Sequence, residues 1–439
     1  MGIIYNYLKN VFQDIKQETK QNPSFVGAIL ILTTIPASLA INNTALILLC
    51  ASVSLNLKKA NFKISKALIL LLLLYFLMFF SLLWTIDVKQ TLKALPKEIA
   101  LLLIPTAFIF ISNFTKEQKT KLFKYYSHGM LLWTFYWIVK ASANYTITKD
   151  SAVFFYHELV TKDVNAIHVS IYISIAFFYF LISENRSLKS NLILSWLFFF
   201  LILLSSKNVL VTFIGLLLFY IFRYSKLTSR AKSYYIFSLV IALFVIFSFG
   251  KVRNRFEMEI AKNFSYVKEN PANKREGVNT INVAEAWNKE MFSPSDYFPG
   301  TAMRVYKFRI FLELLKEEPI FWKGYGLNAS KIKLKEKDQS YNLHSGYAGF
   351  NFHNQYIQNF AELGIFGFTL LLLIVILNLK NSIKSKDFLH IVFGILMITL
   401  FLTESFLWRQ RGVMFFTILY CIFNTTNYVK HTKTELKIP

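Results

Sequence analysis

The amino-acid sequence predicts an all-α polytopic membrane protein with about twelve transmembrane helices and one large external loop. Hydrophobic residues make up 54% of its 439 residues, and the mean hydropathy is +0.41, whereas an average soluble domain is about 45–50% apolar. Apolar runs of roughly 17–20 residues recur, each long enough to cross a hydrocarbon core about 30 Å thick. Lysine and arginine cluster between these runs. The formal net charge of +24 therefore indicates loops that flank a membrane and argues against a nucleic-acid-binding surface.

The apolar runs define the expected transmembrane helices. The first run follows a basic start and resembles a signal peptide with Ser38-Leu39-Ala40 as cleavage site, but a second run follows almost at once and favours an uncleaved anchor. Both cysteines, Cys50 and Cys421, lie in apolar runs, so no disulfide framework or metal site is expected. The expected spans are about 25–40, 42–56, 67–85, 98–112, 125–140, 166–183, 191–206, 208–222, 233–250, 356–378, 387–403 and 412–427.

The distribution of lysine and arginine predicts the orientation. Alternate connections carry most of these residues, as between Lys58 and Lys66, and both chain ends fall on the same side. Because basic loops stay in the cytoplasm, both termini are expected there, with the large loop periplasmic and the protein in a bacterial inner membrane. The expected division is an N-terminal bundle of about nine spans (1–250), an external loop with catalytic motifs (251–355) and about three C-terminal spans (356–439).

The external loop is too long to be a simple connection, and loops of that size usually carry function. Ala302 to Glu318 is predicted to form an amphipathic helix that ends at Pro319. Gly324 and Gly326 follow, and they permit a tight backbone turn. The apolar residues that repeat at helical spacing in the predicted helix are Val305, Phe308, Leu312 and Leu315.

At His353 the chain is expected to return to the membrane. Asn354 and Glu362, eight residues apart, share one face of the predicted helix. In a regular helix Glu362 lies about 13 Å below His353, where a carboxylate is costly unless it faces protein or water. Gly364 and Gly367 lie on another face and permit close approach of a neighbouring helix.

These residues resemble the signature of the O-antigen ligase and O-antigen polymerase (Wzy-type) superfamily of bacterial membrane glycosyltransferases. In that signature an arginine, an aromatic residue, a proline and a Gly-x-Gly precede a His-Asn or His-Ser pair, an acidic residue and two glycines three positions apart. The family often has tryptophan at the aromatic position, so the phenylalanine here is a mild departure. The matching residues are Arg304, Phe308, Pro319, Gly324, Gly326, His353, Asn354, Glu362, Gly364 and Gly367.

Two weaker matches lie outside the main signature. Family members tend to carry Ser-Arg at a tight external turn, and here the turn Ser205-Ser206-Lys207-Asn208 has lysine instead. Lysine keeps the charge but loses the planar fork of arginine. Near the end of the chain, Thr403-Glu404-Ser405 and Arg409-Gln410-Arg411-Gly412 resemble the last external turn of some members.

The resemblance implies a metal-independent glycosyltransferase with a GT-C-like fold and no cofactor. Such enzymes take a glycan from an undecaprenyl-pyrophosphate carrier on the external leaflet. Ligases pass it to a sugar hydroxyl of a lipid A core oligosaccharide, in lipopolysaccharide biosynthesis, and polymerases pass it to another carrier-linked repeat unit. The sequence contains no Asp-x-Asp, which fits a scheme without metal.

The residue types suit this chemistry. A departing pyrophosphate gains negative charge, and fixed cations stabilise it, which is the expected role of Arg304 and Lys207. A sugar hydroxyl is a poor nucleophile that a histidine base can activate, which is one expected role of His353. Its other possible role is that of a cation that binds phosphate. Asn354, Glu362, Gly324, Gly326, Glu404 and Arg409 are expected to support the site.

Each assignment has a simpler alternative. His353 can cap a helix, Arg304 can be a solvated or headgroup-binding residue, and Lys207 can extend from a helix end into the interface. Glu404 and Arg409 can pair with each other structurally. For the other polar residues of these segments, structural readings are equally good or better: Glu362, Arg309, His344 and His168.

Three functional classes fit a chain of this kind. Besides a glycan ligase or polymerase, it can be a transporter or lipid flippase, or a structural or sensory protein whose external part binds cell-wall glycan. The sequence shows no convincing repeat between its halves, and transporters often have one. It also lacks the Gly-x-x-x-Asp-Arg pattern of major facilitator proteins in the connection from Asn56 to Lys66.

Overall fold

A computed structural model shows an all-α protein with few strands. It describes residues 2–57, 62, 64–111, 113–160, 164–183, 187–230, 232–234, 236–237, 240, 279–347 and 349–425. In this part of the chain the helices are α1 Gly2–Gln21, α2 Ser24–Thr34, α3 Leu39–Ser54, α4 Lys66–Phe80, α5 Val88–Glu98, α6 Ala100–Phe110, α7 Lys116–Thr148, α8 Tyr156–Leu159, α9 Ala166–Ile182, α10 Leu188–Leu204, α11 Lys207–Arg223, α12 Val283–Asn288, α13 Gly300–Glu317, α14 Ser330–Ser340, α15 Gln355–Ser385, α16 Phe388–Phe401 and α17 Gln410–Thr425. Two short strands, β1 Asn279–Thr280 and β2 Asp296–Tyr297, pair in parallel.

Two of these helical segments are long and apolar enough to cross a membrane, Lys66–Leu83 and Gln355–Ser385. Shorter apolar helices coincide with several other expected spans, including α2, α3 and α9. The expected span 233–250 and the first part of the external loop, 251–278, lie almost entirely outside the described residues. The count of twelve spans therefore stays a prediction.

The apolar helices pack into one bundle that joins both ends of the chain. The ring of Phe123 in α7 stacks on that of Phe423 in α17, with the centroids 5.0 Å apart. At one end of the bundle, Lys121 binds Asp14 and Glu18 of α1 at 2.6 and 2.5 Å. The first helix is therefore held against α7 by an ion-pair network.

A second, smaller hydrophobic core lies between α12 and the start of α15. Tyr306 of α13 is fully buried there and packs edge-on against Phe292, with the ring centroids 5.6 Å apart. Lys307 is also fully buried and donates to both carboxylate oxygens of Asp338 at 2.7 and 2.8 Å. Because this ion pair lies in an apolar setting, removing either partner would leave a costly buried charge.

Helix α13 matches the predicted amphipathic helix within two residues at each end, but its buried face differs from the expected stripe. Phe308, one member of that stripe, is 42% exposed. The side chains that pack inward lie mainly on the neighbouring face, and they include the buried lysine described above. The inward-packing residues of α13 are Ala302, Met303, Tyr306, Lys307, Ile310, Phe311 and Leu314.

The second core joins the bundle where α15 breaks. Gly364 has φ 64° and ψ −159°, so the helix is interrupted there. The amides of Tyr325 and Gly326 donate to the carbonyls of Ala361 and Glu362 at 2.9 and 2.8 Å. Gly324 and Gly326 also have positive φ, as the predicted tight turn requires. The sequence predicted that a neighbouring helix approaches Gly364 closely. In the structure the backbone of the loop, at Trp322, makes this close approach instead.

Candidate active site

The carboxylate of Glu404 lies between two predicted site residues from distant parts of the chain. Its Oε1 accepts a hydrogen bond from Nη2 of Arg304 at 3.1 Å, and its Oε2 lies 3.5 Å from Nδ1 of His353. The side chains of Arg304 and His353 are 31% and 25% exposed, whereas that of Glu404 is 12% exposed. The side chains of Arg304 and His353 therefore reach solvent, and the less exposed carboxylate of Glu404 lies between them.

His353 lies at the junction between the loop and α15. Its backbone has φ +49°, a conformation that is uncommon for a residue with a side chain. The amide of His353 donates to Oδ1 of Asn351 at 2.9 Å. The next residue, Asn354, caps α15 by accepting from the amides of Tyr356 and Ile357 at 2.9 and 3.1 Å. This backbone arrangement turns the imidazole toward Glu404 before the helix begins.

The turn that carries Glu404 also binds its neighbours directly. Arg304 donates through Nε to the carbonyl of Thr403 at 2.8 Å, and Asn354 donates to the carbonyl of Leu402 at 3.2 Å. Three segments, from α13, from the start of α15 and from the end of α16, are thus fixed to one another by polar contacts.

The turn with Lys207 reaches the same place. Ser205 ends α10 in the left-handed conformation, with φ +49°, and α11 begins at Lys207. Asn208 donates to Oγ1 of Thr403 at 2.7 Å and to the carbonyl of Thr399 at 2.9 Å. Sequence reasoning did not single out Asn208 or Thr403 for a role, although both stand beside residues that it did name. Lys207 is therefore next to a residue that contacts the Glu404 turn.

Electrostatics keep Glu404 ionised. Burial alone would raise the pKa of this carboxyl, but the contact with His353 and the charges of His353 and Arg304 outweigh burial and lower the pKa to about 2. An acid with such a pKa does not exchange protons near neutral pH. Glu404 is suited to orient Arg304 and His353 and not to act as a general acid.

Glu362 lies one layer behind these residues. It is buried and accepts hydrogen bonds from Gln358 and from Ser330, at 2.5 and 3.3 Å. Gln358 in turn accepts from the amide of Phe352 at 3.3 Å and from Ser405 at 3.4 Å. The backbone carbonyl of Glu362 binds the Gly324–Gly326 turn, and its side chain binds Gln358. Glu362 does not contact His353 or Glu404 directly.

Arg409 does not pair with Glu404, contrary to the structural alternative considered from sequence. Its side chain is exposed, and Glu404 contacts Arg304 and His353 instead. His168 is buried, and its ring lies 4.4 Å from that of Phe406, two residues after Glu404. This histidine thus packs behind the site.

The other two candidates have structural contacts of their own. Arg309 binds Glu313, the carbonyl of Lys289 and the hydroxyl of Tyr341, at 2.8, 2.8 and 3.0 Å. His344 is exposed and accepts from the amide of Gly346 at 3.0 Å. Within the described ranges, no group of three or more His, Cys, Asp or Glu side chains is arranged to hold a metal ion.

Comparison with known proteins assigns a family to the segment that contains most of these residues. Residues 192–372 match the family model described as O-antigen ligase. A comparison with curated proteins gives no match. The matched segment includes Lys207, Arg304 and His353, whereas Glu404 lies beyond it. The resemblance seen in the motifs is thus confirmed for residues 192–372, the segment that matches the O-antigen ligase family.

Proposed function

We propose that this protein is a membrane glycosyltransferase that moves a glycan from an undecaprenyl-pyrophosphate carrier to a sugar hydroxyl of a lipid A core oligosaccharide. One observation carries the proposal: Arg304, His353 and the Lys207 turn all meet the Thr403–Glu404 turn. Cations and a histidine on one solvent-facing surface are what transfer from a pyrophosphate requires. The family of residues 192–372 supports the reaction class.

In the proposed reaction the acceptor hydroxyl oxygen attacks the anomeric carbon of the donor glycan. A new glycosidic C–O bond forms as the bond between that carbon and the pyrophosphate oxygen breaks. The electron pair of the broken bond leaves with the pyrophosphate, which remains on its lipid. Arg304 and Lys207 stabilise the added negative charge, and Arg304 does so with a planar fork that matches phosphate oxygens.

The proton of the acceptor hydroxyl passes to His353 in this scheme. Because Glu404 faces Nδ1 of His353, the neutral imidazole is expected to carry its proton on Nδ1, which leaves Nε2 to accept another proton. The negative charge of Glu404 then stabilises the imidazolium that forms. The alternative role, a permanently protonated His353 that binds phosphate, uses the same contact. The two roles predict opposite pH dependence.

The membrane arrangement belongs to the same proposal. We place both termini in the cytoplasm, the 251–355 loop in the periplasm and the protein in a bacterial inner membrane, with a GT-C-like architecture. The lysine and arginine distribution supports this orientation, and the apolar segments Lys66–Leu83 and Gln355–Ser385 support spanning. The absence of Asp-x-Asp from the sequence supports catalysis without a metal.

A second candidate function is polymerisation, in which the acceptor is another carrier-linked repeat unit. The family signature is shared by both reactions, so the acceptor distinguishes them. Purified protein in liposomes, given carrier-linked glycan and lipid A core, is expected to attach the glycan to the core. Extension of the carrier-linked glycan without attachment would instead identify a polymerase. Movement of lipid-linked glycan across the bilayer without any new glycosidic bond would replace the enzyme proposal with a flippase.

A further inference from the structure

Two lysines, Lys97 and Lys331, form a cationic cluster beside the indole ring of Trp408. Nζ of Lys97, at the end of α5, lies 5.9 Å from the ring centroid, and Nζ of Lys331, at the start of α14, lies 6.0 Å from it. Attraction between a cation and an exposed aromatic ring is worth about 0.5–1 kcal/mol. Attraction to the ring stabilises each lysine on its own, but the two ammonium groups beside one ring also repel each other.

In the described part of the chain no carboxylate forms a salt bridge with Lys97 or Lys331, although the charge of Lys97 acts on Glu98. The salt bridges along α14 belong to Lys333 and Lys337 and not to Lys331. The acid beside Lys97 is Glu98, which is turned inward and is only 3% exposed. The surface therefore offers cations to an anionic ligand from outside the chain.

Short polar contacts tie this cluster to the proposed active site. The indole Nε1 of Trp408 donates to Oδ1 of Asn328 at 2.9 Å. The amide of Leu407 donates to Oε1 of Gln355, two residues after His353, at 2.7 Å. Because the turn of Trp408 also begins only two residues after Glu404, the ring is held at a defined position relative to the candidate catalytic residues.

We propose that Trp408, Lys97 and Lys331 form a subsite for acidic groups on the glycan acceptor. The ammonium groups bind carboxylate or phosphate oxygens on the sugars, and the indole packs against the C–H faces of a sugar ring. The inference rests on the proposed function, because it places the acceptor beside His353. An anionic lipid headgroup is the competing ligand. The acceptor is favoured because α14, which packs in the second core and not in the apolar bundle, supplies one of the two lysines.

The test is a binding measurement on the full-length protein in nanodiscs of phosphatidylcholine, without donor. The probes are hexagalacturonate, an acidic hexasaccharide, and maltohexaose, a neutral one. Hexagalacturonate is expected to bind more tightly, and the K97Q/K331Q double variant is expected to weaken its binding by about fivefold or more, from the loss of two partly exposed ion pairs. The matched control is K316Q/K335Q, which removes two exposed charges from α13 and α14 and is expected to leave binding unchanged.

Three results would overturn the inference. The first is equal binding of the acidic and the neutral hexasaccharide, and the second is equal weakening of binding by the two double variants. The third is binding of phosphatidylglycerol, added to the nanodiscs, through Lys97 and Lys331 when hexagalacturonate does not bind there, which would assign the cluster to a lipid headgroup. The binding measurement contains no donor and detects no transfer. Failure of the proposed enzyme activity would therefore show only in the separate transfer assay in liposomes.

Discussion

Glu404 and His353 are 51 positions apart in the chain, yet Oε2 of Glu404 lies 3.5 Å from Nδ1 of His353. The other carboxylate oxygen holds Arg304. A carboxylate that stays ionised and faces both groups makes the position of each dependent on the other. Glu404 therefore acts through these two neighbours.

Substitution of Glu404 by glutamine removes the negative charge and keeps the side-chain shape. We expect E404Q to lower the transfer rate by about tenfold to a hundredfold, as for other residues that orient a reactive group. If His353 is a base, the rising limb of the pH–rate profile should move to lower pH, because the imidazolium loses its neighbouring charge. A purely structural role would lower the rate without moving the profile.

The same variant gives a stability test with a defined sign. The pKa of the Glu404 carboxyl is lowered from 4.5 to about 2 in the folded protein, so its stabilising contribution is complete above pH 4.5 and is lost as the pH falls toward 2. The difference in melting temperature between the parent and E404Q should therefore shrink as the pH falls from 4.5 toward 2. A difference that stays the same over that range would contradict this assignment.

His353 is expected to be central to catalysis. Base catalysis typically contributes about 10²–10⁴-fold, so H353A should lower transfer by at least about a hundredfold without loss of expression or thermal stability. H344A is the control, since that exposed histidine contacts only its own turn among the described residues. Activity that rises with pH near 6–7 indicates a base, and activity that falls indicates a phosphate-binding cation. A well-folded H353A protein with full activity would favour the transporter hypothesis over the enzyme proposal.

Arg304 and Lys207 are expected to bind the donor pyrophosphate. R304A should abolish transfer, and K207R should be tolerated better than K207A because it keeps the charge. Loss of Arg304 also leaves Glu404 with one cation fewer, so stability must be followed beside activity. If a folded R304A protein retains near-normal transfer, the proposed role of Arg304 is wrong.

The break in α15 depends on glycine at position 364. A Cβ atom there would lie 2.2 Å from the carbonyl oxygen of Trp322, and the backbone has φ +64°. We expect G364A to destabilise the protein by about 1–3 kcal/mol or more, from strain and displaced backbone. G349A is the matched control, since a Cβ at that exposed glycine meets nothing within 4 Å. Equal melting temperatures for the two variants would exclude the proposed close approach.

The orientation of the loop can be tested at Asn279, which is exposed at the start of β1. After both native cysteines are replaced by serine, N279C should react in intact cells with a thiol reagent that does not cross membranes. The charge distribution predicts an external position. Labelling that occurs only after the cytoplasmic side is opened would reverse the topology.

Much of the local structure could be predicted because its causes lie in neighbouring residues. The loop helix was expected at 302–318 and is found at Gly300–Glu317, since helical periodicity and the following proline are local signals. The turn at Gly324 and Gly326 has the positive φ angles that its glycines permit. The buried face of α13 was not predictable in the same way. Two partners, the second core and the bundle, decide which side packs inward.

The amino-acid sequence by itself determined the helical class, the resemblance of residues 192–372 to the O-antigen ligase family and the place of His353 at the start of a helix, because periodicity, motif spacing and capping act over a few residues. Only the tertiary structure decided that Glu404 contacts Arg304 and His353 and not Arg409. It also decided that Glu362 lies behind the site, and that Lys97 and Lys331 meet at Trp408. These contacts join residues that are 32 to 311 positions apart in the chain. The packing of the second core on the bundle sets their distances, and no pattern within one segment encodes that packing.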